Sequence, residues 1–132
     1  MKLFIADDSE MMRERIREMV LAVEGVELVG EAGDVKASIK GILDLKPDVV
    51  ILDIRMPGGS GLDVLRKVKG HLKKTPLIIV LTNYPFPEYK EVMIKLGADC
   101  FFDKSVEFGE VQKVLEKMLQ DKEVREKSDN SQ

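Results

Sequence analysis

The apolar positions of this chain fall into two rhythms. Leu3-Phe4-Ile5-Ala6 is an unbroken run of strand-forming side chains that stops abruptly at Asp7-Asp8, the pattern of a strand covered on both faces. Val26–Gly30, Val49-Val50-Ile51-Leu52 and Leu77-Ile78-Ile79-Val80-Leu81 share that character, and a shorter Cys100-Phe101-Phe102 follows Gly97-Ala98-Asp99. Between these runs the period lengthens. Met11, Met12, Ile16, Met19, Val20 and Val23 recur at helical spacing, with Arg13, Glu14, Arg17 and Glu18 on the other side and Ser9 placed as N-cap. Val35–Leu45 predicts a second helix, capped by Asp34 and followed by Pro47. Leu62–Val68, Glu88–Leu96 and Val106–Gln120 complete the helices, and Gly97 is placed to stop the fourth. Such a fivefold alternation predicts an α/β fold: one doubly wound domain whose parallel sheet carries helices on both faces, joined by right-handed crossovers.

Composition narrows the setting. A chain of 132 residues, 44% of them hydrophobic, supports a single core, and no apolar run approaches the length of a membrane helix. The last dozen residues, Asp121 to Gln132, lack any large apolar side chain except Val124, which predicts a folded domain over 1–120 and a disordered polar tail over 121–132. With 21 basic and 24 acidic side chains the net charge is −3, which argues against direct binding to nucleic acid. Met1 to Ala6 is too short an apolar start for a signal peptide, and the lone Cys100 forms no internal disulfide, so the expected compartment is the cytoplasm. Cys100 itself reads as an inert buried thiol.

In an open α/β sheet, ligands bind beyond the carboxyl ends of the strands, where the strand order reverses. Here those ends carry Asp7-Asp8, Asp53, Thr82 and, through Asp103, Lys104. Two unit charges 4 Å apart repel by roughly 4 kcal/mol at an effective dielectric near 20, so carboxylates converging there need either raised pKa values or a cation. Magnesium suits acidic oxygens, whereas zinc or iron favours His or Cys, and the lone His71 sits in a Lys/Gly stretch. A magnesium site beside Lys and Thr is equipment for phosphoryl transfer, and Asp53 is the leading nucleophile, forming an acyl phosphate. Plainer readings stand beside these: Asp7-Asp8 as helix-capping acids, Thr82 as a strand end, Met56-Pro57 with its nearby glycines as a turn. Met11, Met12 and Met19 read as core packing, the charges from Lys113 to Lys127 as a solvated face, and Phe86 with Tyr89 as either a contact surface or local packing.

Taken in order, these residues resemble the receiver domains of two-component response regulators, stand-alone chemotaxis-type regulators among them, over Lys2 to about Gln120. The resemblance is carried by Asp7-Asp8, by Asp53-Ile54-Arg55-Met56-Pro57-Gly58-Gly59-Ser60-Gly61, by Thr82, and by Lys104 after Gly97-Ala98-Asp99. It implies a flavodoxin-like (βα)5 fold with strand order 2-1-3-4-5. It also implies that Asp53 is phosphorylated, that Asp8, Asp53 and the backbone carbonyl of Arg55 ligate magnesium directly, and that Asp7 does so through a bound water. Lys104 is expected to pair with one phosphoryl oxygen and Thr82 to bond another, drawing the loop after the fourth strand inward, with Phe101 as the aromatic switch.

The implied partners are a sensor histidine kinase or His-phosphotransfer protein as donor, a downstream protein target, and a second copy in a phosphorylation-dependent homodimer. No Gly-rich nucleotide loop accompanies them, and the chain is expected to catalyse nothing beyond its own phosphorylation and dephosphorylation. Alternatives are a receiver cut from a longer DNA-binding regulator, or a magnesium-dependent phosphatase of the haloacid-dehalogenase type. The second needs a carboxylate two residues after the nucleophile, where Arg55 stands. Other departures from the family pattern are Asn83 and Tyr84-Pro85-Phe86-Pro87, whose prolines stiffen the loop after Thr82, and Ser105 in place of a frequent proline. Phe101 lacks a hydroxyl, and Arg55 sets a long cation beside the phosphoacceptor.

Overall fold

Side chains alternate across a strand, so a run that is apolar at every position must be covered on both sides. In β1 (Lys2–Ala6), Leu3 and Ile5 enter one buried cluster while Phe4 and Ala6 enter another. A computed structural model describes residues 1–130, with side chains described through Lys122. Its main sheet adds β2 (Glu27–Ala32), β3 (Val49–Leu52), β4 (Leu77–Thr82) and β5 (Cys100–Asp103), all parallel, in the order β2-β1-β3-β4-β5. This is the flavodoxin-like order expected.

Helix α1 (Glu10–Leu21) and helix α5 (Phe108–Asn130) cover one face, where Ile16, Val20, Val111 and Leu115 pack on Leu3, Ile5, Ile79 and Leu81. Helices α2 (Val35–Leu45), α3 (Gly61–His71) and α4 (Pro87–Lys95) cover the other, where Val35, Ile42, Val64, Leu65, Val68 and Met93 meet Phe4, Val50, Ile78 and Val80. The caps follow local chemistry: Ser9 Oγ accepts from the Met12 amide at 3.2 Å and Asp34 Oδ1 from the Ala37 amide at 2.7 Å. Gly97 stops α4 in a left-handed conformation, φ +106°, that a side chain at Cβ disfavours.

Several boundaries move. The edge strand β2 runs Glu27–Ala32 rather than Val26–Gly30, because pairing with β1 carries it past polar Glu31 to Ala32 opposite Ala6. Arg55–Met56 and Gly59–Ser60 form a two-stranded antiparallel hairpin where only a turn was expected. Helix α5 begins at Phe108, after a turn containing exposed Val106, and continues to Asn130 instead of ending at Gln120. The expected disordered tail thus begins inside a helix: Lys122, Glu123, Arg125, Glu126 and Lys127 are strong helix formers even without an apolar stripe. Residues 131 and 132 of that tail lie outside the described residues. Met12 and Met19 pack on the core as expected, but Met11 is 75% exposed. Among the described residues no helix is long and apolar enough to cross a membrane.

Candidate functional site

The chain crosses from β1 to β2 on one side and to β3 on the other, so the strand order reverses between β1 and β3. Ala6 pairs with Leu52 as the two strands end, and the next residues, Asp7 and Asp53, therefore emerge side by side. The backbone holds them there: the Asp53 amide donates to the Ala6 carbonyl at 2.9 Å and the Asp7 amide to the Ala32 carbonyl at 3.0 Å. Farther along the sheet Thr82 pairs with Asp103, and the Lys104 amide donates to the Thr82 carbonyl at 2.9 Å.

From that anchor Lys104 reaches back across β4. Its Nζ lies 2.7 Å from Asp7 Oδ2 and 2.9 Å from Asp53 Oδ2, so one ammonium bridges two carboxylates that are only 2% and 5% exposed. The second oxygen of each acid is also engaged, Asp7 Oδ1 by the Ser9 amide at 2.9 Å and Asp53 Oδ1 by the Ile54 amide at 2.7 Å. Burial pushes the Asp53 carboxyl above the ordinary carboxylate range against the pull of Lys104. Burial also draws the Lys104 ammonium down, but the hydrogen bond to Asp7 and the charge of Asp53 together outweigh it and leave its pKa raised.

Asp8 stands beside this pair on the solvent side. Carboxylate oxygens of Asp7, Asp8 and Asp53 all lie within 4.8 Å of one another, the one such metal-capable group among the described residues. Hard oxygen donors, two buried and one open to solvent, fit a hard divalent cation. His71 is exposed, its Nδ1 2.8 Å from the Lys67 carbonyl, and belongs to no such group.

The loop after β3 is fixed by packing at Gly61, whose amide donates to the Ile54 carbonyl at 2.6 Å. A Cβ on Gly61 would overlap the Asp53 carbonyl oxygen, so α3 approaches the back of Asp53 only because the residue there has no side chain. The Val35 amide ties the same loop to α2 through the Pro57 carbonyl at 3.1 Å.

Thr82 is fully buried, and its Oγ1 accepts from the Tyr84 amide at 3.0 Å. Phe101 is half-buried against the cluster under α2, α3 and α4. Asp103 turns away from the acidic group, its Oδ1 taken by the Ser105 hydroxyl at 2.7 Å and amide at 2.8 Å, which hold its carboxyl below the ordinary range. Cys100 is half-buried, and burial raises its thiol pKa. Phe86 and Tyr89 pack on each other at 5.9 Å between ring centroids, with Phe86 still largely exposed.

Two features escaped the sequence reading. Arg13 and Arg17, expected on the solvent side of α1, face β2: Arg17 forks onto Glu31 through Nε and Nη2 at 2.7 and 2.9 Å, while Arg13 Nη1 donates to the Asp7 carbonyl at 2.7 Å. Their four-residue spacing puts them on one helix face, but only the strand order reveals that Glu31 lies opposite. The other is Arg55, whose guanidinium carbon sits 4.1 Å from the centroid of the Tyr84 ring.

Residues 3–116 match the family described as the response regulator receiver domain. The chain is 33% identical over 125 residues to an uncharacterized transcriptional regulatory protein, YvfU, of Bacillus subtilis, covering 93% of this chain and 61% of that protein. It is 32% identical over 112 residues to the response regulator GacA of Pseudomonas syringae, covering 83% and 51%. Among solved structures, a DNA-binding response regulator of the LuxR family from Staphylococcus aureus aligns with a TM-score of 0.79 at 30% identity, covering 88% of this chain and 96% of that one. The chain thus spans 61% and 51% of the lengths of these two curated relatives.

Proposed function

The chain belongs to the response regulator receiver domain family, and from that membership we propose that Asp53 accepts a phosphoryl group from the phosphohistidine of a sensor kinase or His-phosphotransfer protein. A carboxylate oxygen of Asp53 attacks phosphorus as the bond to the donor imidazole nitrogen breaks, giving an acyl phosphate and a neutral histidine on the partner. Burial and the Gly61 contact hold Asp53 in one pose, so little orientational freedom is lost on reaction. The Lys104 ammonium, already shared between Asp7 and Asp53, pairs with a phosphoryl oxygen, and Thr82 donates its hydroxyl hydrogen to another while its lone pair stays on the Tyr84 amide. Asp8, Asp53 and the Arg55 carbonyl would hold a magnesium ion there, and Asp7 would contribute through a water. When bound, that ion neutralises charge on the transferred oxygens.

The observation that carries this reading is one ammonium bridging two buried carboxylates, with a third beside them, at the point where strand order reverses. Its test is mass spectrometry after incubation with acetyl phosphate and magnesium: one phosphoryl group on the peptide containing Asp53 is expected, and an unmodified Asp53 sinks the proposal. The chain then acts as a cytoplasmic signalling protein with no separate substrate of its own. Output passes to a protein target, or to a second copy of the chain, through the face around β4, α4 and β5, with Thr82 and Phe101 as the moving parts.

A second reading is a receiver portion of a longer DNA-binding regulator. It is supported by the name of YvfU as a transcriptional regulatory protein, by the DNA-binding relative of known structure, and by the fraction of the curated relatives this chain spans. The mass of the endogenous protein on an immunoblot separates the two. The phosphatase reading is disfavoured, since the residue two beyond Asp53 carries a guanidinium and has no acid to offer a leaving group.

A further inference from the structure

Arg55 and Tyr84 belong to different loops, one leaving β3 and the other leaving β4, yet they stack at 4.1 Å across the mouth of the Asp53 site. Each end of the stack is tied to that site. Arg55 is two residues beyond Asp53, and the Tyr84 amide donates to Thr82 Oγ1 at 3.0 Å. Pro85 and Pro87 follow Tyr84, and Pro87 is the first residue of α4, so the chain between ring and helix has few conformations to choose from. The guanidinium is exposed, and among the described residues no carboxylate lies within ion-pairing distance of it. Its close partners are the neutral side chains of Tyr84, on which it stacks, and Tyr89 of α4, to which it donates a hydrogen bond.

We propose that Arg55 and Tyr84 form a latch that closes the two loops together in the resting protein and that phosphorylation of Asp53 opens, the guanidinium leaving the ring for the phosphoryl oxygens. This rests on Asp53 being the phosphoacceptor. A phosphoryl group adds close to two negative charges and several strong acceptors two residues from an unpaired cation. A guanidinium binds such an anion through charge-assisted, bidentate hydrogen bonds, which outweigh a cation–π contact between an exposed guanidinium and a half-buried ring, and the stacked population falls by roughly tenfold. The released Tyr84 ring joins the aromatic surface already made by Phe86 and Tyr89, and the α4 face presented to a partner changes its composition.

Solution NMR on the full chain tests this directly, because a stacked guanidinium carries a ring-current shift on its side-chain Nε–H resonance. In the resting protein Tyr84→Leu is expected to abolish that shift on Arg55, whereas Tyr84→Phe retains it. A shift indifferent to Tyr84→Leu overturns the latch. In the wild-type chain, acetyl phosphate and magnesium are expected to reduce the ring-current shift by about tenfold and move the Nε–H downfield, as a hydrogen bond to an anion does. Mass spectrometry on the same sample distinguishes the failures: phosphorylated Asp53 with an unmoved Arg55 overturns the latch alone, while an unmodified Asp53 overturns the phosphoacceptor reading and the latch with it.

Discussion

Two ion clusters meet at Asp7 and are built in opposite proportions. On its backbone side, Arg13 and Arg17 share Glu31, two guanidiniums to one carboxylate, and Arg13 also caps the Asp7 carbonyl. On its side-chain side, Lys104 is shared by Asp7 and Asp53, one ammonium to two carboxylates. The first cluster is 21–39% exposed, the second at most 5%. Water screens the first, so its surplus positive charge costs little and its forked geometry mainly fixes where α1 sits against β2. The second keeps a surplus negative charge where desolvation is expensive, an arrangement that stability alone does not favour. The difference separates a cluster that holds the scaffold from one poised to take up positive charge.

The largest effect should come from removing the lone cation. Lys104→Met leaves two carboxylates facing each other in a buried site, and urea denaturation at neutral pH in a chelator should register a loss of about 3–5 kcal/mol, partly restored by magnesium. A loss under about 1 kcal/mol would show that the two clusters are energetically alike. Asp53→Asn should act in the other direction, abolishing phosphorylation while stabilising the fold by on the order of 1–2 kcal/mol, since Lys104 and Asp7 then balance one to one.

The pH dependence sharpens that second case. Burial raises the Asp53 pKa in the folded state, so its contribution to stability is fully present below the ordinary value of about 3.9 and is lost as pH rises through the folded value. The advantage of Asp53→Asn should accordingly open from about pH 4 upward, and a gap that stays constant across an acid titration of both proteins contradicts it. The smallest effect belongs to the exposed cluster. A double-mutant cycle between Arg17→Ala and Glu31→Gln should give a small favourable coupling that shrinks as salt is added. The cost of Lys104→Met should hardly respond to salt.

What could be read in advance follows from what is periodic. Strands β1, β3 and β4 are buried on both faces, and their unbroken apolar runs say so; β2 is an edge strand, and nothing apolar marks its passage through Glu31 to Ala32. The hairpin at Arg55–Ser60 is too short to show alternation, and beyond Gln120 α5 continues on helix propensity after its apolar stripe has ended. At the site, Asp7, Asp8, Asp53, Thr82 and Lys104 could be gathered because each sits at or just past a strand end, where topology dictates proximity. Side-chain direction in a loop has no period, so the reach of Lys104 to both acids, the turning of Asp103 onto Ser105 and the stacking of Arg55 on Tyr84 became visible only with the fold.

Gly61 brings no chemistry to the site, yet the start of α3 lies against the Asp53 carbonyl with no room for a methyl group. In a saturation-mutagenesis survey this silent position should tolerate as little as Asp53, and alanine, elsewhere the mildest of replacements, should be costly there. The imprint of a buried carboxylate on a protein's permissible variation therefore extends past the residues that pair with it, to the one behind it that must stay empty.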